Sequence, residues 1–166
     1  MKFNVLSSSP LHRYLKLFAV CIVAGVIILL AAATSAEAAT DALKITVYRD
    51  PACKCCGGWS DYLTTQGFQP KNVLTSDMNA LKQQYGVPND LASCHTAVIN
   101  GYVIEGHIPA ADIKRLLAEQ PTVAGIAIPE MPIGTPGMES GDVREPFTVF
   151  SFDQQGNTEA FNQYSF

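Results

Sequence analysis

The chain has 166 residues, a formal net charge of −4 and five cysteines. From residue 39 onward, eight Lys and Arg face fourteen Asp and Glu with no basic block, which argues against nucleic acid as a partner. That length suffices for one compact domain with a real core, and not for two.

The first segment reads as an address rather than as fold. Lys2, Arg13 and Lys16 flank an apolar run from Leu17 to Ala33, and Ala36-Glu37-Ala38 fits a small-x-small cleavage site. Residues 1–38 are therefore expected to be a signal peptide, cleaved after Ala38, that sends the chain to the periplasm. The run is long for a signal, so an uncleaved inner-membrane anchor is the alternative for the same residues. Cys21 lies inside it and is expected to be discarded. No cysteine stands at the cleavage site, as a lipoprotein would need.

In the remainder, "LKITVYRD" (43–50) alternates apolar and polar residues and reads as a strand. A turn with Cys53, Cys55 and Cys56 follows, then a helix beginning near Cys56 or Gly57 that Gly67 ends. "KNVLTS" (71–76) is a second strand. Ser76 or Asp77 caps a helix whose apolar face is Met78, Leu81 and Tyr85, with Gly86 as its stop. "HTAVING" (95–101) and "YVIEG" (102–106) form a hairpin about Asn100-Gly101. Pro109 suits the first position of a helix with Ile113, Leu116 and Leu117 inward.

This order, β-α-β-α-β-β-α, is that of the thioredoxin fold, whose cysteine turn lies between the first strand and the first helix. The expectation is an α/β, thioredoxin-like domain over residues 39–166. Alternation with helices favours parallel pairing of its first three strands. Residues 124–166 read as an appendage. Its Pro- and Gly-rich part (124–142) is a surface loop, and "PFTVFSF" (146–152) with "TEAFNQYSF" (158–166) makes a β-hairpin, added to the sheet or folded on itself.

Cys53 and Cys56 have C-x-x-C spacing, and a turn leading into a helix brings such sulfurs together where the helix N-terminus favours thiolate. A dithiol oxidoreductase and a soft-metal site share that geometry. Cys55 weighs toward metal, because a third thiol invites scrambled disulfides whereas a third thiolate can bridge Cu(I) ions. Cys94 would supply a fourth sulfur if the fold sets its loop beside the turn. The plain alternatives are a buried core cysteine at 94 and disulfides without metal.

At these residues the sequence resembles the CopG-type copper-resistance family of exported bacterial proteins. The motifs are "DPACKCCGGWSDYL", "SCHTAVINGYVIEGHIP" and "GIAIPEMPIGTPGME", spanning about Lys44 to Glu139. The resemblance implies a thioredoxin-like domain with a cysteine-bridged, polynuclear Cu(I) cluster on Cys53, Cys55, Cys56 and Cys94. It further implies a role in copper resistance, with copper redox activity as an extension. Implied partners are copper ions and other envelope copper-handling proteins.

Four further ligand candidates are weaker. Met131 and Met138 flank "PIGTPG", and thioether sulfur suits Cu(I). His95 adjoins Cys94, and in a regular strand the two would face opposite ways, so both serve one site only if the strand begins irregularly. His107 precedes the third helix. Both histidines are expected to titrate near neutral pH, weakening such a site in acid. Met78, Trp59, Arg49 and Asp50 have structural readings, core for the first two and surface charge for the others, while Lys54 is read either as lowering the thiolate pKa and offsetting the cluster's negative charge or as a solvated lysine. Two other functions stay open. One is a thiol–disulfide oxidoreductase using Cys53 and Cys56, against which counts the lack of proline at position 94. The other is a structural zinc module, strained by three ligands within four residues.

Overall fold

A computed structural model describes residues 43–166, and the expected signal peptide, its cleavage site and Cys21 lie outside them. Eleven elements follow in order: β1 (Lys44–Arg49), α1 (Lys54–Thr65), β2 (Gln69–Leu74), α2 (Met78–Gln84), a 3₁₀ turn (Asn89–Leu91), β3 (His95–Ile99), β4 (Tyr102–Glu105), α3 (Ala110–Glu119), β5 (Gly125–Ala127), β6 (Phe147–Phe152) and β7 (Thr158–Tyr164). The strands form one seven-stranded sheet in the order β2-β1-β3-β4-β5-β6-β7. The expected β-α-β-α-β-β-α order is present, and the mixed α/β class holds. Among the described residues no helix is long and apolar enough to cross a membrane.

Period-two alternation gives the sheet two covered faces. Ile45, Val47, Ala97, Ile99, Ile104, Ile126 and Val149 turn toward α1 and α3, where Trp59, Leu63, Ile113 and Leu116 complete the main core. Val103, Ala127 and Phe152 turn the other way, onto Val87, Leu91 and Tyr85. At the β3–β4 hairpin Asn100 and Gly101 have φ of 47° and 84°, the pair of left-handed residues that a two-residue I′ turn requires.

Three expectations change. Of the first three strands only β1 and β2 are parallel; β3 runs antiparallel to β1, with Arg49 opposite His95. The seven-residue α2 rises only about 10 Å. The chain then doubles back through the 3₁₀ turn and re-enters the sheet beside the end of β1. Residues 125–127, expected as loop, form β5, parallel to β4 and antiparallel to β6. This fully buried strand joins the C-terminal hairpin to the sheet, so the hairpin is an extension of it. Three residues are too few to show a period. In α2, Met78, Leu81 and Tyr85 are only half-buried, and the buried residue is Lys82.

Candidate metal centre

The cysteine turn is pinned from both sides. Asp50 Oδ1 accepts the Ala52 N–H at 2.7 Å, and Asp50 O accepts the Cys53 N–H at 3.1 Å. Arg49 Nη1 donates to Cys53 O at 3.3 Å while its Nε donates to Asn72 Oδ1 at 3.0 Å. Arg49 and Asp50, read from sequence as surface charges, thus shape the turn; Lys54 is exposed. The helix begins at Lys54, two residues before the expected start, with Cys53 as its N-cap. Cys55 and Cys56 therefore lie in the first helical turn, where unpaired amides favour anionic sulfur.

Cys53 and Cys56 are joined as a disulfide, while Cys55 and Cys94 are free thiols. Cys55 Sγ lies 3.5 Å from Cys53 Sγ. Cys94 sits just before β3, outside the regular strand, and faces the turn as the topology required. The four sulfurs all lie within 4.8 Å of one another. A soft metal–sulfur bond is about 2.3 Å, so sulfurs sharing an ion stand no more than about 4.6 Å apart. The spacing suits bridging thiolates once the disulfide is reduced.

Cys94 also gathers nitrogen. The irregular start of β3 lets adjacent residues converge: Cys94 Sγ is 3.3 Å from His95 Nδ1 and 3.1 Å from His107 Nε2. These three ligand atoms also lie within 4.8 Å of one another. His107 Nδ1 is 2.7 Å from Pro136 O. A carbonyl can only accept, so Nδ1 carries the proton and the neutral ring turns a bare Nε2 toward Cys94. His95 stacks on Trp59 at 4.3 Å between ring centres, and its buried Nε2 has no partner. Trp59 is itself fully buried and donates through Nε1 to Ile108 O at 2.9 Å.

Burial lowers both histidines below their ordinary value, His95 by the larger margin, with the charges of His107 and Lys82 adding to the effect there. The expectation that they titrate near neutrality is thereby corrected in direction: burial favours the neutral ring, with a lone pair available, at both. Burial, then the charge of Cys55, pushes the Cys94 thiol up to about 12. Cys94 is a thiol in the metal-free protein, and a metal must displace its proton.

The Pro- and Gly-rich loop closes the site from outside. Gly137, at φ +82°, packs so closely that a Cβ there would meet Trp59 N at 2.7 Å and Cys55 O at 3.1 Å. Gly58 lets the loop in from the helix side, since its own Cβ direction points at Gly137 Cα, 3.5 Å away. Ser93 Oγ donates to Glu130 O at the loop's other end. Met131 and Met138 follow these two anchor points directly, Met131 exposed and Met138 half-buried.

Sequence reasoning missed a polar group behind the site. Lys82 Nζ pairs with Glu105 Oε1 and donates to Thr96 Oγ1 at 3.1 Å. Thr96 Oγ1 donates to Glu105 Oε2 at 2.6 Å, and the Ser93 N–H donates to Glu105 Oε1 at 2.7 Å. Burial raises the Glu105 carboxyl, and these three donors pull against it. The signal was present in the sequence: Lys82 shares a helical face with Met78 and Tyr85, and Glu105 shares a strand face with Val103.

Fold and site together define a small α/β domain with a sulfur- and imidazole-rich centre capable of binding a soft metal. Two solved structures, "Copper resistance protein copG- Form 2" and "Copper resistance protein copG- Form 1", are 41% and 42% identical to the chain. They superpose with TM-scores of 0.71 and 0.70, each match covering 74% of this chain and 98% or 97% of the other. The family described as "Protein of unknown function, DUF411" matches residues 91–138, the segment that holds Cys94, His95, His107 and the loop. No curated protein matches. The chain belongs to the CopG copper-resistance family.

Proposed function

We propose that the chain is an exported, periplasmic copper-binding protein that holds Cu(I) on Cys53, Cys55, Cys56 and Cys94 as a cysteine-bridged cluster of more than one ion. It would serve copper resistance. The carrying observation is the gathering of four sulfurs within 4.8 Å, in a chain 41% identical to a structure described as a copper resistance protein. Thiolate softness selects Cu(I) over harder ions, and zinc is the competitor for four sulfurs. His107, with its bare Nε2 toward Cys94, is the best supplementary ligand. His95 and the loop methionines Met131 and Met138 stand behind it.

Copper redox chemistry extends this reading. Two Cu(I) ions each give one electron, the Cys53–Cys56 bond takes both, and two protons complete the dithiol. Anaerobic titration of the reduced protein against a Cu(I) chelator tests the cluster. More than one Cu(I) per chain is expected, with fewer in Cys55→Ser; one ion or none, unchanged by Cys55→Ser, would refute it.

The disulfide at the helix N-terminus favours a second reading, a thiol–disulfide oxidoreductase. Metal-free reduction of a protein disulfide, lost in Cys53→Ser and kept in Cys94→Ser, would support it over copper binding.

A further inference from the structure

The ion pair of Lys82 and Glu105 is not explained by stability. A buried pair of this kind is commonly replaced by apolar residues without loss, because desolvation offsets the attraction. Its geometry offers another reason. Glu105 is fully buried on the face of the sheet away from the cysteines. Its carboxylate nevertheless reaches the backbone of Ser93, the residue before Cys94, with the N–H donating at 2.7 Å. Lys82 and Thr96 hold the same carboxylate in place from α2 and β3.

Ser93 is thus a junction. Its amide is tied to Glu105 behind the sheet, and its hydroxyl donates to Glu130 O in the loop in front. Cys94 begins outside regular β3, so strand pairing does not fix it, and His95 O is the first ladder acceptor, bonded to Gly106 N at 3.0 Å. The constraint missing at Cys94 is supplied one residue upstream by Glu105.

We propose that Glu105 is a positioning residue for Cys94, holding its thiol in reach of the cysteine turn through the Ser93 N–H, with Lys82 and Thr96 fixing the carboxylate. This rests on the copper reading above. Groups that orient a ligand from behind commonly alter metal affinity about 10- to 100-fold when removed.

Two neutral double variants separate positioning from mere structure. Lys82→Met/Glu105→Gln removes both charges and keeps an oxygen that can accept the Ser93 N–H. Lys82→Met/Glu105→Leu removes the acceptor as well, at similar volume. In chelator competition the Gln variant should stay near the parent affinity for Cu(I), while the Leu variant loses about tenfold, each measured well below its own melting temperature. Equal affinities in the two folded variants would overturn the proposal. Amide hydrogen exchange on the unaltered, metal-free protein is the second measurement and depends on no variant folding. Slow exchange at Ser93 is expected, and exchange as fast as at an unbonded amide would overturn the role. If the unaltered protein binds no Cu(I), the copper reading fails, and the amide measurement then decides the positioning role by itself.

Discussion

The two ends of the sheet place their buried polar groups differently. Where α3 meets the C-terminal hairpin, both oxygens of buried Asp112 are taken: Oδ1 by Asn162 Nδ2 at 2.8 Å and Oδ2 by Tyr164 Oη at 2.7 Å. Burial and that carboxylate push the Tyr164 phenol up. Arg115 donates through Nη2 to Phe161 O at 2.6 Å and stands over the Phe161 ring at 3.8 Å, although its buried Nε has no partner. Around Cys94 the pattern differs: Cys55, His95 Nδ1 and the bare His107 Nε2 gather about the Cys94 thiol, and the far nitrogen of His95, Nε2, is left without a partner. Buried polar groups are normally satisfied by backbone or surface partners, so a thiol gathered with two imidazoles and a second free thiol is a grouping spent on function rather than folding. The hairpin end is a latch, and the cysteine end is a site kept ready for a ligand.

Breaking the latch should cost the most stability and leave copper alone. Asp112→Ala strands Tyr164 Oη and Asn162 Nδ2 in a partly buried place, at about 3 kcal/mol. A lower urea midpoint with unchanged Cu(I) affinity is expected; loss of copper binding in a folded variant would show that the two ends are coupled. The next effect lies on the site side. Gly137→Ala sets a Cβ against Trp59 N at a left-handed φ, costing about 2 kcal/mol and lifting Pro136 O from His107. It should lower both the urea midpoint and Cu(I) affinity, and full retention of the affinity would mean that the loop does not shape the site.

The comparison also explains what the sequence could tell. Element order was legible because period-two and period-3.6 patterns, an Asn-Gly turn and the Asp77 cap each signal locally; Asp77 Oδ1 does accept the Ala80 N–H, at 3.1 Å. The approach of Cys94 to the turn followed from that order alone. Strand direction did not, since alternation is the same read either way, and β3 was misjudged for that reason. The short β5 carries no period. The deeper features are long-range: the tautomer of His107 is set by Pro136, 29 residues away, and the anchor of Ser93 by Glu105, 12 residues away. Lys82 and Glu105 drew no reading, although their spacing puts them on buried faces. Arg49 and Asp50 read as surface charges because their partners, backbone groups of the turn and the Asn72 side chain 23 residues on, carry no local signal.

The smallest effect is the most specific. If the cysteine end holds unsatisfied groups for a ligand, removing one should make the metal-free protein more stable. His95→Leu deletes the orphaned nitrogen, keeps an apolar contact with Trp59, and should stabilise by about 1 kcal/mol at neutral pH while weakening Cu(I) binding. The pH profile checks the cause. His95 and His107 have folded values below the ordinary 6.5, so below that pH the unfolded chain binds protons that the folded chain refuses. Their contribution is present above 6.5 and is lost as pH falls toward the folded values. Cys94 works from the other side: its contribution is present below the ordinary 9.0 and is lost as pH rises toward about 12. Urea midpoints should therefore fall less steeply below pH 6.5 in His95→Leu than in the parent, with the alkaline limb unchanged. An acid limb as steep as the parent's would mean that His95 is already protonated and partnered in the fold, and the contrast between latch and site would lose its clearest member.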